Sequence, residues 1–468
     1  MSENTIVSIP QTEMDRQAQY MRLFSALEKR PRTYCIVTYG CQMNAHDSEK
    51  LAGMLEEMGL TAAPREEADF VLHNTCCIRD NAERKALGNV IWLKELKKER
   101  PDMLIGVCGC MVQEQGKAES IRRQYPFIDI AFGTGTLHKL PELLYEAVER
   151  GARMIEVDEE QNTIAEGVPI RRMSPWQAYV TVMYGCNNYC TYCIVPYVRG
   201  RERSRQPDDI IREVEGLVRA GVQEIMLLGQ NVNSYGRMPD TGLDFAGLLR
   251  RVSETGIPRI RFMTSHPKDL SDSLIEEIGR NPQVMGHFHL PAQSGNDRIL
   301  RAMNRHYDVE QYTERADRLR RARPDIGLTT DLIVGFPGET EAEFRDTLAL
   351  VEKMHFDSAF TFIYSPRVGT KAAELPDQVP ADVSTDRITR LIAAQERQTE
   401  QVLNSMVGRT VNVLATDVSR RDASMLTGKC ERNISVNFIG KPEDMGRIVP
   451  VRITAASRTT LKGEIIDK

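Results

Sequence analysis

Short continuous apolar runs alternate along most of this chain with stretches whose apolar residues recur at helical spacing. Tyr34-Cys35-Ile36-Val37-Thr38-Tyr39, Phe70-Val71-Leu72-His73 and Leu104-Ile105-Gly106-Val107 read as buried strands. Asp47–Met58 reads as a helix, and another helix falls between the second and third strands. Alternation of this kind predicts a parallel α/β sheet. A second series follows, with strand candidates at Ala178–Met183, Glu224–Leu228, Arg259–Met263, Gly286–Leu290, Leu328–Val334 and Ala359–Tyr364. Helices such as Asp208–Ala220, Leu270–Gly279, Glu310–Arg321 and Glu341–Met354 separate them. These strand–helix units predict a partial, open (β/α)6 barrel, whose chemistry belongs at the C-terminal ends of its strands. A long helical pattern from Asp382 to about Leu403 leads into alternating apolar residues, among them Val411, Val413, Val436, Phe438, Val449, Val451 and Ile453. Glycines punctuate them, and the pattern predicts a small β-barrel. Such a barrel suits gripping RNA, and as pattern alone it equally suits dimerisation or packing.

A chain of 468 residues exceeds one core and suggests about three units. The boundaries expected are a polar extension over 1–31 with a short helix through Tyr20, Phe24 and Leu27, an α/β domain over 32–150, a linker over 151–171, the barrel over 172–403 and the small β-domain over 404–468. No run of about 18 apolar residues is present and the N-terminus is polar, which predicts a cytoplasmic protein with no membrane partner. No long coiled-coil pattern appears, so a monomer is expected. Net charge is −5, yet residues 404–468 carry 11 Lys/Arg against 7 Asp/Glu, and Arg199-Gly200-Arg201-Glu202-Arg203-Ser204-Arg205 is strongly basic. Such patches neutralise phosphates or form solvated faces. Close spacing among the 10 cysteines, without secretion, favours reduced thiols and metal ligation over disulfides.

Cys186-Asn187-Asn188-Tyr189-Cys190-Thr191-Tyr192-Cys193 sets three thiols at C-x3-C-x2-C. A 4Fe-4S cluster held by three cysteines keeps one iron open, whereas structural zinc fills four positions. A zinc knuckle would need a fourth ligand, and no neighbouring histidine or cysteine supplies one. The spacing resembles the radical S-adenosylmethionine superfamily. That resemblance implies that Cys186, Cys190 and Cys193 hold a cluster whose open iron binds S-adenosylmethionine and generates a 5′-deoxyadenosyl radical.

Tyr39-Gly40-Cys41-Gln42-Met43-Asn44, Asn74-Thr75-Cys76-Cys77-Ile78-Arg79 and Gly109-Cys110-Met111-Val112-Gln113 form a second set, each just beyond a predicted strand. With the triad and the C-terminal barrel they resemble the methylthiotransferases, from about Arg32 to the C-terminus. The resemblance implies an auxiliary 4Fe-4S cluster on Cys41, Cys76 and Cys110, a radical barrel and an RNA-binding TRAM domain. It implies that the auxiliary cluster carries the sulfur, that one S-adenosylmethionine methylates it and that a second supplies the radical; an electron-transfer or structural role for that cluster is the competing view. Cys77 and Cys108 stand where the family has small residues, which leaves ligand exchange open. Cys35 and Cys430 read as core or surface thiols.

Tyr192 lies where the superfamily places an aromatic residue near the adenine. Gln230, Gln293 and Asp331, at the ends of successive strands, are candidates for ribose or methionine contacts; helix capping is the alternative for each. Arg199, Arg201 and Arg305 suit substrate phosphate or cofactor carboxylate, or solvent-facing salt bridges. His266 reads as a structural histidine ahead of a proton carrier. Leu228-Gly229-Gln230-Asn231-Val232-Asn233-Ser234-Tyr235-Gly236 and Met263-Thr264-Ser265-His266-Pro267 resemble the branch acting on N6-dimethylallyladenosine beside the anticodon, position 37 of tRNA. The partners implied are a tRNA anticodon stem-loop, whose bases can splay out, and an electron-donor protein. The alternatives are N6-threonylcarbamoyladenosine in tRNA, a ribosomal-protein aspartate, or a non-catalytic RNA-binding metal protein.

Overall fold

The computed structural model describes residues 7–77, 80–158, 163–238 and 240–466. Residues 1–6 of the expected extension, Ile78 and Arg79 of the second cysteine motif, and 467–468 lie outside the described residues. The chain forms two compact units. One comprises Met1–Met173, Met183–Asn187 and Cys193–Arg205; the other comprises Ser174–Val182, Asn188–Tyr192 and Gln206–Lys468.

The first unit is built on a parallel sheet of strands β1 (Thr33–Thr38), β2 (Thr61–Ala62), β3 (Phe70–Thr75), β4 (Leu104–Gly109), β5 (Ile130–Phe132) and β6 (Met154–Glu156), in the order β2-β1-β3-β4-β5-β6. Its central strand β3 is buried throughout. Phe70 and Leu72 join a core with Phe24, Leu51 and Leu55, and the intervening Val71 joins another with Val90, Leu93 and Ile105. Both faces are thus covered, as an all-parallel sheet requires. Each such large apolar side chain contributes about 1.5–3 kcal/mol.

Two segments depart from expectation. The stretch expected as a linker supplies the edge strand β6. Further along it, Arg171 N donates to Glu49 O at 3.0 Å, and a Cβ at Gly53 would stand 2.4 Å from Pro169 O, so this backbone lies directly on helix Gln42–Glu57. The N-terminal extension forms helix Gln11–Ala26, which buries Phe24 in the sheet's core, and Val7–Ser8 pairs in parallel with Thr163–Ile164. Three-residue strands and single anchoring residues leave too short a pattern to read as periodic.

The second unit contains β7 (Gln177–Thr181), β8 (Glu224–Leu228), β9 (Arg259–Phe262), β10 (His287–His289), β11 (Gly327–Val334) and β12 (Ser358–Ile363). They pair in parallel as β9-β8-β7 and β10-β11-β12, with a parallel bridge from Ile260 to Val284. These are the strands expected of the open barrel. Helix Glu341–Met354 begins at a reciprocal Thr340/Glu343 capping box. Helix Ala381–Ser405 precedes a closed barrel of β13 (Thr410–Val418), β14 (Met425–Lys429), β15 (Ser435–Ile439), β16 (Ile448–Ala456) and β17 (Thr460–Ile465), in the order β13-β14-β15-β17-β16. Inward-facing Val413, Ala415, Val436, Phe438, Val451 and Ile453 fill it.

The start of β9 grips the small barrel. Arg259 donates to Lys429 O at 3.1 Å and Asn412 O at 2.8 Å. Arg261 donates to Cys430 O at 2.7 Å, to Glu431 O at 3.2 Å and to Glu224 Oε2 at 2.8 Å. Arg432 closes on Asp357 at 2.9 and 2.5 Å. Among the described residues no helix is long and apolar enough to cross a membrane.

Candidate metal centres

In the first unit Cys41, Cys76 and Cys110 follow the C-terminal ends of β1, β3 and β4, which are neighbours in the sheet. The strand order reverses between β1 and β3, the position where open α/β sheets form ligand crevices. Glycine makes the approach possible. Gly40 has φ +101° and a Cβ there would stand 2.4 Å from Cys76 Cβ, while Gly109, at φ +95°, packs its backbone against Asn74 Oδ1 and Thr75 O. Cys41 is the N-cap of helix Gln42–Glu57; desolvation pushes its thiol up, opposed by Arg199 and by the backbone N–H groups of Asn44 and Met43.

Asn44 ties the strand ends together. Its Nδ2 donates to Tyr39 O at 3.0 Å and Thr75 O at 2.8 Å, and its Oδ1 lies 3.8 Å from Cys41 Sγ and 3.9 Å from Cys110 Sγ. Arg199, expected to reach substrate or solvent, is instead 6% exposed. Its Nε donates to Cys110 Sγ at 3.2 Å, and its Nη2 donates to Asn44 Oδ1 and Asp47 Oδ2, both at 2.8 Å. Arg203 and Arg205 are buried too, Arg205 gripping Glu166 at 2.6 and 2.7 Å. Only Arg201 of the basic run is exposed, so the run is chiefly an interior scaffold.

Cys77 points at Cys110. A hydrogen bond from Cys77, opposed by burial and aided by Arg199, holds Cys110 down at about 6, while the same hydrogen bond and burial push Cys77 well up. Cys77, Cys110, Ile194 and Val198 share one apolar cluster. Burial also pushes Cys108 well up, keeping it a neutral thiol. Among the described residues no three His, Cys, Asp or Glu side chains converge as around a single ion. An iron–sulfur cluster spreads its thiolates over several irons, and three thiols at neighbouring strand ends, Cys76 and Cys110 buried and Cys41 exposed, suit it.

The loop of the other cysteine set is divided, Cys186 and Cys193 counting with the first unit and Cys190 with the second. In the first unit Cys186 N donates to Gly200 O at 3.1 Å, and Cys193 immediately precedes helix Val195–Val198. In the second, the turn after helix Asp297–Ala302 clamps Asn188–Tyr192. Thr191 N donates to Met303 O at 3.1 Å, Thr191 Oγ1 to Ala302 O at 2.9 Å, and Asn304 Nδ2 to Asn188 O and Tyr189 O, both at 3.1 Å. Arg305 is buried and donates to Cys190 Sγ at 3.4 Å, Tyr307 Oη at 2.9 Å and Pro291 O at 2.9 Å. It therefore faces the cysteine loop and not solvent, one of the two alternatives open to it in sequence.

Tyr192 packs with Ile299, Met303 and Phe336, its hydroxyl 3.5 Å from Arg305. Gln293 and Asp331 meet through backbone: Gln293, at φ +66°, donates its N–H to Asp331 O at 2.8 Å. Asp331 Oδ2 lies 3.5 Å from His289 Nε2. Thr329 Oγ1 stands between His289 Nδ1 at 3.0 Å and His287 Nε2 at 2.9 Å. Gln230 stands two residues beyond the end of β8, half-buried. His266 accepts from Lys268 N at 3.3 Å, and burial holds it far below the ordinary histidine range, a neutral structural residue.

Across 449 residues the chain is 48% identical to the tRNA-2-methylthio-N(6)-dimethylallyladenosine synthase of Clostridium perfringens (strain SM101 / Type A), covering 96% of this chain and 100% of that one. This chain belongs to the tRNA-2-methylthio-N(6)-dimethylallyladenosine synthase family. The synthase of Caldicellulosiruptor saccharolyticus is 50% identical over 437 residues, 93% of either chain. The Radical SAM superfamily matches residues 180–351, the TRAM domain matches 404–466, and the uncharacterized protein family UPF0004 matches 33–133. Among solved structures, the apo form of the cobalamin-dependent S-adenosylmethionine radical enzyme OxsB is 12% identical with a TM-score of 0.50, over 77% of this chain and 56% of that one, a likeness of fold. The residues that sequence reasoning missed in this synthase-family chain are Asn44, Asp47 and Asn304, and Arg199 is buried where a substrate contact or a solvent-facing salt bridge was expected. Their partners are far away in sequence, and no local pattern marks them.

Proposed function

We propose that this chain is a radical S-adenosylmethionine tRNA methylthiotransferase that adds a 2-methylthio group to N6-dimethylallyladenosine at position 37, beside the anticodon. Family membership at 48% identity over 96% of the chain carries this reading. Residues 32–150 form the domain holding an auxiliary cluster on Cys41, Cys76 and Cys110. Residues 172–403 form the radical core with its cluster on Cys186, Cys190 and Cys193, and 404–468 the TRAM module that grips the anticodon stem-loop. When bound, the two 4Fe-4S clusters supply single electrons and open positions for S-adenosylmethionine and for sulfur.

The protein's own residues hold and orient. The hydrogen bond from Cys77 and the guanidinium of Arg199 both favour the thiolate of Cys110 against its burial. Asn304 and Thr191 fix the loop around Cys190, and Arg305 places positive charge against its sulfur. Tyr192, Gln230, Gln293 and Asp331 are the contacts assigned to the adenosyl and methionine parts of the cofactor, with His289 orienting the Asp331 carboxylate. The enzyme works as a cytoplasmic monomer served by an electron-donor protein.

The test is anaerobic turnover of cluster-loaded protein with reductant, S-adenosylmethionine and tRNA bearing N6-dimethylallyladenosine, read by mass spectrometry of the digested nucleosides. A methylthio gain on that nucleoside, lost in Cys190→Ala, is the expected result. Cofactor cleavage without that product would reject the substrate. Iron content should be about eight atoms per chain, falling to roughly half when Cys186, Cys190 and Cys193 are replaced by alanine.

A further inference from the structure

The interior of the first unit contains a cation that family membership does not account for. Arg199 follows helix Val195–Val198, and its own N–H closes that helix on Val195 O at 2.8 Å. The side chain turns inward, and two of its nitrogens, Nε and Nη2, serve three acceptors of different chemistry. Asp47 offers a carboxylate, Asn44 an amide oxygen and Cys110 a sulfur. An arginine serving stability alone would present both ends of its fork to the carboxylate, the strongest pairing open to it. Here Asp47 takes one Nη2 contact and Nε is directed at sulfur, an acceptor that rewards a buried donor chiefly when ionised. Asn44 receives the same guanidinium while its Oδ1 lies beside both Cys41 and Cys110, so the fork also fixes how those two thiols are presented.

We propose that Arg199 is a positioning residue that sets the reduction potential of the group held by Cys41, Cys76 and Cys110, its charge raising that potential and Asp47 moderating the rise; this rests on the ligand assignment above. Net charge and hydrogen bonds to the ligating sulfurs are the two protein levers on such a potential. Arg199 supplies both through Cys110. Added positive charge favours the reduced, more negative state, and the Asp47 carboxylate on the same guanidinium works in the other direction. The two members of one ion pair therefore have opposite signs of effect. A purely structural pair would not, because removing either partner loosens the same pocket.

The experiment uses the full chain with Cys186, Cys190 and Cys193 replaced by alanine, leaving one cluster to observe. Iron per chain is measured, and the midpoint potential is followed by EPR-monitored redox titration. Arg199→Gln should move the midpoint to more negative potential and Asp47→Asn to more positive, while Arg199→Lys, which keeps the charge and loses the fork, should fall between Arg199→Gln and the unsubstituted protein. Shifts of the same sign in Arg199→Gln and Asp47→Asn, or no shift in either, would overturn the proposal. If Arg199→Gln fails to retain iron, the decision passes to Asp47→Asn, whose midpoint must rise. Should the triad-substituted parent itself bind no iron, the ligand assignment falls first and the proposal with it, an outcome distinct from an iron-loaded parent whose midpoint ignores both substitutions.

Discussion

Arg199 and Arg305 are both buried, and each places an N–H on a cysteine sulfur, at 3.2 Å on Cys110 and 3.4 Å on Cys190. They differ in what else they touch. Arg199 carries its own counter-charge in Asp47, whereas Arg305 is surrounded by the hydroxyls of Tyr307 and Tyr192 and the carbonyl of Pro291, with no carboxylate within salt-bridge distance among the described residues. A buried cation without a partner is costly, and the cost is relieved when an anion arrives. The first site is therefore electrostatically complete as folded, and the second is completed by what it binds.

The comparison breaks most visibly on stability. Arg199→Met strands the Asp47 carboxylate in the interior and should cost about 3–5 kcal/mol, read as a lower urea midpoint of the full chain. Arg199→Met combined with Asp47→Leu should recover most of that loss, because no carboxylate is then left unpaired. Arg305→Met strands no charge, and Tyr307 Oη still has Pro291 O and Ala292 O to donate to. Its cost in the iron-free protein should stay within about 1 kcal/mol. Equal losses for the two arginines would remove the distinction.

A finer test falls on the clamp around Cys190. Asn304 sits at φ +61° and donates to Asn188 O and Tyr189 O. Asn304→Gly should cost about 1 kcal/mol for the lost hydrogen bonds, and Asn304→Ala roughly 0.5–1 kcal/mol more, since only the alanine adds left-handed strain. Hydrogen exchange of the Thr191 amide, which bonds to Met303 O, should speed up in the same order.

Both sheets were readable because their strands are continuous apolar runs: Glu224–Leu228 emerges with the bounds expected of it, as does the helix Glu341–Met354. Met154–Glu156 escaped because an edge strand of three half-buried residues has no period to detect. The cysteines were found by spacing, but two adjacent thiols on an extended segment face opposite ways, and spacing cannot tell which of Cys76 and Cys77 approaches Cys110. Arg199 was misjudged for a different reason. A long cation defaults to solvent unless its partner is known, and Asp47 lies 152 positions from Arg199 along the chain. Burial of charge is a property of tertiary pairing, so composition places basic residues on a surface that three of the four in this run do not occupy.

Arg259 and Arg261, at the start of β9, grasp the backbone carbonyls of Asn412 and of the turn at Lys429–Glu431. The small C-terminal barrel thus doubles as the stopper of the larger one. Cutting the chain before Thr410 would leave two guanidinium groups and the Asp357 carboxylate without the partners that now neutralise or saturate them. Exchanging this module for that of a relative requires the floor residues to travel with it, so the unit of inheritance and of engineering is the barrel together with its plug.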